Sequence, residues 1–330
     1  MLCLDVVQII CDYCDLKTQI NLISSCKEYD EYLKIKILNC ANGIGSDITQ
    51  EVIKQKKFDK LQKLIAYNTN KITDINHLQN TLIELDCRNS CGIDQKGIAN
   101  LTKLQKLDAN YNEKITDVNH LQNTLTRLNC CSCCGIDQKG ISSLKVLQIL
   151  EANYNEKIID VNHLQNTLTE LHCRNDCGID QKGISNLKVL KKLDANHNNK
   201  IKNLTHLQNT LTALHCRNNC GIDQKGISNL KILQKLDASF NDTITNVNHL
   251  QNTLTKLTCY WNCGIDQKGI SDLKILQKLY AFKNDKITDV NHLQNTLTEL
   301  YCCDSGIDQK GISALKVLQK LNKNDIMKNN

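Results

Sequence analysis

The sequence predicts an α/β solenoid, a stack of short coils, with a small all-α piece at its N-terminus. Three observations point there. The string G-I-D-Q-K-G-I begins at Gly92, Gly135, Gly178, Gly221, Gly264 and Gly306, at steps of 43 residues and finally 42. The string H-L-Q-N-T-L keeps the same rhythm from His77, His120, His163, His206, His249 and His292. Within each unit the spacing L-x-x-L-x-(L/C/A) occurs twice, its first leucines alternating 21 and 22 residues apart from Leu61 to Leu318. A fixed period of this size marks an array whose units cannot bury an apolar face alone, so that stacking supplies the core.

Residues 1–40 lie outside the period. Asp5 to Cys14 reads as a helix with Val6, Ile9, Ile10 and Tyr13 on one apolar stripe. Second and third helices are expected from Asp15 to Ser24 and from Lys27 to Leu38. A piece this small exposes more apolar surface than its own core requires, which marks a docking face. Residues 41–60, with G-I-G-S-D and Q-K-K, read as a linker and N-terminal cap. Residues 61–317 are the coils, and residues 318–330 are a basic, polar C-terminal cap and tail.

One unit, Leu168 to Thr210, shows how a coil is built. Alternation around Leu171 and Cys173 gives a short strand with one face inward. Asn198 then turns the chain, its amide placed to satisfy backbone groups at the corner. A short helical segment follows, with Asp180 in D-Q-K-G-I-S-N-L, and Asp117 or Thr116 in the T-D-V-N-H-L string of an earlier unit, suited to cap it.

The spacing L-x-x-L-x-L-x-x-N-x-x-I, with Cys or Ala at the third Leu, resembles the leucine-rich-repeat family from about residue 61 to 321. The resemblance implies a horseshoe whose strands line a concave, protein-binding face. The half beginning at Leu168 is similar to the cysteine-containing subtype, although its Cys177 sits one place later than in that pattern. The head, L-C-L-D-V-V-Q-I-I-C-D-Y-C with S-S-C-K-E-Y after it, resembles an F-box, with Cys3 in place of the usual Pro and Cys14 in place of a Leu. That resemblance implies a Skp1-like adaptor docking on Leu2, Leu4, Val6, Val7, Ile9, Ile10, Tyr13 and Leu22. The alternative for the head is a plain helical cap. In composition and repeat style the whole is similar to leucine-rich proteins encoded by giant DNA viruses of amoebae.

Composition excludes several classes. The chain has 330 residues, no proline and 19 cysteines. The N-terminus lacks a basic region and carries Asp5 and Asp12 inside its apolar run, so it is a poor signal peptide. No membrane span is expected, since no stretch of about 18 apolar residues occurs. A reducing cytoplasm, or a host cell's cytoplasm or nucleus, follows, and the cysteines are expected to stay unpaired. The net charge of +6 is modest and spread out, which does not indicate nucleic acid.

Repetition itself argues against catalysis. A catalytic residue has no reason to occur six times, so the histidine series from His77 to His292 is structural or on the surface. The lysine row Lys96, Lys139, Lys182, Lys225, Lys268 and Lys310 falls in the helical segments as solvated charge. The C-x-x-x-C pairs, such as Cys87 and Cys91, are expected to be small buried apolar residues, since equivalent strands two coils apart lie about 10 Å from one another. The group Cys130, Cys131, Cys133 and Cys134 is the exception worth testing. No catalytic site, metal or cofactor is expected.

The informative positions are those that differ between copies. Counted from the first Leu of each half, positions 3, 5, 7 and 8 flank the inward residues and vary freely. All nine aromatics between residues 61 and 321 lie at position 5, 7 or 8. Six of them, Phe240, Tyr260, Trp261, Tyr280, Phe282 and Tyr301, fall on four adjacent strands and form the candidate partner site. The reading is a non-catalytic adaptor: a substrate receptor linking a bound protein to a cullin-type ubiquitin ligase, or else a general leucine-rich scaffold with no ubiquitin role. A nucleic-acid surface is disfavoured by strand-face acids such as Glu84, Asp108, Glu151 and Asp194.

Overall fold

A computed structural model describes residues 3–41, 43–218, 220–261 and 263–322. The chain divides into two compact units, residues 1–157 and 158–330.

The first unit opens with three helices, α1 (Leu4–Asp12), α2 (Leu16–Ile23) and α3 (Lys27–Tyr32). Asp15 caps α2 by accepting from the Thr18 N–H at 2.8 Å. α3 stops at Tyr32 instead of running to Leu38. Beyond it Leu38 and Cys40 are buried while Ile37 and Asn39 are exposed, and this alternation suits a strand. Ile37–Asn39 accordingly pair in parallel with Lys63–Ile65. The sheet therefore begins one coil before the leucine spacing does, and turns at Gly43–Asp47, Gln50–Ile53 and Lys56–Phe58 form the back of that coil. Strands Glu84–Asp86, Lys106–Asp108, Arg127–Asn129 and Ile149–Glu151 continue it in chain order, all parallel.

Among its described residues the second unit has eight strands: Glu170–His172, Lys192–Asp194, Ala213–His215, Lys235–Asp237, Lys256–Thr258, Lys278–Tyr280, Glu299–Tyr301 and Lys320–Asn322. They too are parallel and pair in sequence order. The backs of the coils are single turns, of α-helix at Gln224–Ile227 and Gln267–Ile270 and of 3₁₀ helix at the others, as at Lys182–Ile184 and Asn291–Leu293.

The core is the periodic set. In the coil from Leu254, the side chains of Leu257, Cys259, Cys263, Ile265 and Ile270 are all fully buried. Each buried leucine or isoleucine contributes about 2 kcal/mol. The fixed polar residues join one coil to the next. Asn198 donates to the carbonyls of Cys173 and Ile179, at 3.0 and 3.1 Å, as its corner position predicts. Asp180 accepts from the Gly183 N–H at 2.9 Å, and Asp117 from the Asn119 N–H at 2.7 Å. Gln267 accepts from the N–H groups of Thr288 and Asp289 and donates to the Asp289 carbonyl. The invariant glycine of D-Q-K-G follows from the same crowding: a Cβ on Gly269 would lie 2.1 Å from the Thr245 oxygen of the preceding coil.

Candidate partner-binding face

One residue at position 8 of every full coil adopts the left-handed conformation, with φ between 47° and 60°. The turn has a mechanical role. Cys263 donates from its N–H to the Trp261 carbonyl at 2.6 Å, and this tight bend sends the Cys263 side chain back into the core. Asparagine takes that conformation at low cost, and it occupies the position at Asn68, Asn89, Asn175 and Asn218. Phe240, with φ 58°, and Trp261, with φ 55°, occupy it in the second unit despite their bulk. Both rings stay about 40% exposed, at 42% and 40%.

The structure brings the six predicted aromatics onto neighbouring coils, Tyr280 and Tyr301 on strands and the other four in the turns just after strands, in two contact groups. Phe240 and Trp261 stack with centroids 5.6 Å apart, and Trp261 meets the edge of Phe282 at 5.7 Å. Tyr260 also meets Phe282 edge-on at 6.1 Å, and Tyr280 stacks on Tyr301 at 4.8 Å. Lysines border the rings. The Lys283 ammonium lies 4.1 Å from the Trp261 centroid, Lys256 lies 4.9 Å from Tyr280, and Lys320 lies 5.0 Å from Tyr301. Glu299 accepts from Lys278 at 2.8 Å and from the Tyr280 hydroxyl at 2.9 Å. The Lys278 ammonium holds its carboxyl down to about 2. The rings thus brace one another as well as facing solvent.

Between this cluster and its neighbours lies a charged network the sequence did not reveal. Asp194 is fully buried, with the Arg174 guanidinium and the Nδ1 atoms of His215 and His172, at 3.5 and 3.8 Å, around it. Burial pushes its carboxyl up, but the His215 and Arg174 contacts outweigh this and hold it at about 2. In the first unit the strand face is paired charge instead: Lys63 with Glu84 at 3.0 Å, Arg88 with Asp86 at 2.8 Å, and Arg127 with Glu151 at 2.6 Å. Tyr67 lies there under Arg88, while Tyr111 and Tyr154 point outward at positive φ.

The head divides its apolar residues between two faces. Val6, Ile9, Ile10 and Tyr13 are exposed, Tyr13 by 90%. Val7 is only 4% exposed and belongs to the core with Cys11, contrary to its expected place on the adaptor face. The helical step explains it, since residues four apart share one face. Leu4 and Leu22 are half-buried, and Leu2 lies outside the described residues.

The remaining repeated groups are structural. Cys87, Cys130, Cys173, Cys216 and Cys259 are fully buried, and desolvation pushes the thiols of Cys177, Cys220 and Cys263 up to about 11. Of the crowded group, Cys130, Cys131 and Cys134 are buried and Cys133 is exposed. The Nε2 atoms of His206, His249 and His292 lie 3.0 to 3.1 Å from the carbonyls of Ile184, Ile227 and Ile270 one coil earlier. The lysine row is exposed on the helical side. Among the described residues no helix is long and apolar enough to cross a membrane.

No family model matches the chain, and no curated protein matches it in sequence. Solved structures do match. The functional domain of InlJ from Listeria monocytogenes, which includes a cysteine ladder, superposes with a TM-score of 0.54 at 23% identity, over 87% of this chain and 62% of that one. TLR13 in its ssRNA13 complex gives a TM-score of 0.51 at 21% identity, over 91% of this chain and 50% of that one. The chain thus spans between half and two thirds of the lengths of these neighbours. The fold is the leucine-rich-repeat solenoid that the spacing predicts.

Proposed function

We propose that this protein is a non-catalytic interaction adaptor that holds a protein partner on the strand face of its second unit. The observation that carries the reading is the pair of large aromatic rings, Phe240 and Trp261, kept at left-handed backbone positions where asparagine would be cheaper. A solenoid that needed only rigidity would gain by placing Asn there, as other coils do. Strain retained beside an exposed ring supports a site selected for contact.

The head gives the reading its finer form. Exposed Val6, Ile9, Ile10 and Tyr13 supply an apolar face of the kind the F-box resemblance requires, and they support docking of a Skp1-like adaptor and a substrate-receptor role in a cullin-type ubiquitin ligase. A second reading, a scaffold with no ubiquitin role, is favoured by how the head is fixed. Gln8 binds both the N–H and the carbonyl of Lys34, at 2.8 and 3.0 Å, so the head also caps the first coil.

Paired baits test the proposal. A protein retained by the wild type and lost from Trp261→Ala supports the strand-face site; identical captures overturn it. Purified Skp1-like adaptor, retained by the wild type and lost from an Ile9→Glu, Ile10→Glu variant, supports the F-box role. Failure of the wild type to retain it leaves the scaffold reading.

A further inference from the structure

The aromatic face adjoins a depression of about 280 Å³ lined chiefly by His215, Arg217, Lys235, Lys256, Tyr260 and Tyr280. Its charge is uneven. Arg217 is already committed, its Nε donating to the buried Asp237 carboxylate at 2.6 Å and its Nη2 closing the same pair. That pair is internally neutral. Lys235, exposed on its strand, and Lys256, half-buried beside the Tyr280 ring, are left to set the sign of the opening. The wall opposite is aromatic. The next carboxylate along the face, Glu299, is itself occupied by Lys278 and Tyr280.

We propose that this depression receives acidic side chains, and that the partner meets the second unit through an acidic protein segment whose carboxylates pair with Lys235 and Lys256 while its methylene stems cover the tyrosine rings. The inference rests on the reading of this face as the partner site and adds the partner's chemistry to it. Short acidic side chains fit the geometry better than a polyphosphate backbone does. Lys235, Lys256 and Lys278 sit side by side on adjacent strands, but Lys278 is paired with Glu299, the next residue in the row, and Asp237 holds Arg217. Only two lysines therefore face the opening, and they do not form a continuous basic track of the kind that follows a nucleic-acid strand. The stacked pairs Phe240 with Trp261 and Tyr280 with Tyr301 already use one ring face each, which leaves no open slot between successive rings for a base.

Trp261 is the single tryptophan of the chain and sits within the ring cluster, so its emission reports on this face in the intact protein. The probes are poly-L-glutamate of about 20 residues, an oligo-dT of equal charge and poly-L-lysine, titrated at low salt, where exposed charges are least screened. Expected are a saturable change with polyglutamate, a clearly weaker one with oligo-dT and none with polylysine. Lys235→Glu should weaken polyglutamate binding about tenfold, an exposed attraction having become a repulsion. Lys225→Glu, on the helical side, changes net charge equally and should bind as the wild type does. Both lysines are exposed, so unchanged circular dichroism is expected and verifies that the variants are folded.

Oligo-dT binding as tight as polyglutamate, or equal weakening by Lys225→Glu, would overturn the acidic-segment inference. So would the absence of any response to polyglutamate. If the paired baits still show Trp261-dependent capture in that case, only the partner's chemistry is wrong. If capture is also independent of Trp261, the site itself is wrong.

Discussion

Replacing Trp261 by Ala and, separately, by Asn separates what the ring does for the fold from what it does for binding. Both substitutions remove the same contacts: the stack on Phe240 at 5.6 Å, the edge contact with Phe282 at 5.7 Å and the Lys283 ammonium at 4.1 Å. Aromatic pairs contribute about 0.5–1.5 kcal/mol each and an exposed cation–π contact about 0.5–1. With the ring 40% exposed the lower ends apply, so Trp261→Ala should destabilise by about 1.5 kcal/mol. Trp261→Asn loses the same contacts but accepts φ 55° more readily, which returns about 1 kcal/mol. The expected order is wild type, Asn, Ala, with steps of about 0.5 and then about 1 kcal/mol. Urea unfolding followed by circular dichroism measures it, since the fluorophore is gone, and equal m-values confirm that the same surface is exposed on unfolding. Partner affinity of the folded protein should fall about thirtyfold or more in both variants alike, the loss of a hot-spot ring. An Ala variant at least as stable as the Asn variant would refute the strain argument, and wild-type affinity in both would refute the site.

Three further outcomes are expected. Deleting one whole unit, Leu168 to Thr210, should leave a cooperatively folding protein, because stability in a stacked array is a nearest-neighbour sum; a circular dichroism spectrum of an unfolded chain would count against the solenoid. Asn198→Ala should cost about 2–4 kcal/mol in a urea melt, since it strands the buried carbonyls of Cys173 and Ile179. Burial lowers the pKa of His206, His249 and His292 below the usual histidine value, so their contribution is complete above about pH 6.5 and is lost as pH falls through the depressed folded values. Asp108, which burial pushes up to about 6, acts oppositely, gaining stability as pH falls through that folded value towards the ordinary carboxylate range. In an Asp108→Asn background the urea midpoint should therefore drop between pH 7.5 and pH 5.5, and replacing His206 by Gln should shrink that drop.

The sequence by itself determined the coils. A leucine every 21 or 22 residues and an inward Cys or Ala two residues after the second leucine encode a buried stripe whatever lies on the other face, because burial depends only on which residues are apolar and how they alternate. Asn198 was legible at the corner, and Asp180 and Asp117 as caps, for the same reason: a side chain bonding to backbone nearby needs no knowledge of distant residues. The tertiary structure alone decided the rest. That position 8 is left-handed could not be read from a sequence that puts Asn, Tyr, Ser, His, Phe, Trp, Lys and Asp there, since the turn is imposed by the demand that the next inward residue reach the core. The first strand at Ile37–Asn39 carries the inward pattern in Ile35, Leu38 and Cys40, but stands outside the 21/22-residue rhythm that starts at Leu61, and is fixed by pairing with Lys63–Ile65. Val7 shares a helix face with Cys11, and only the packing of the head decides that this face is the buried one. The contacts among Phe240, Trp261 and Phe282 join residues 21 apart, and the gathering of His172, Arg174 and His215 around Asp194 spans three strands. Such contacts depend on the register between coils, and register exists only once the coils are stacked.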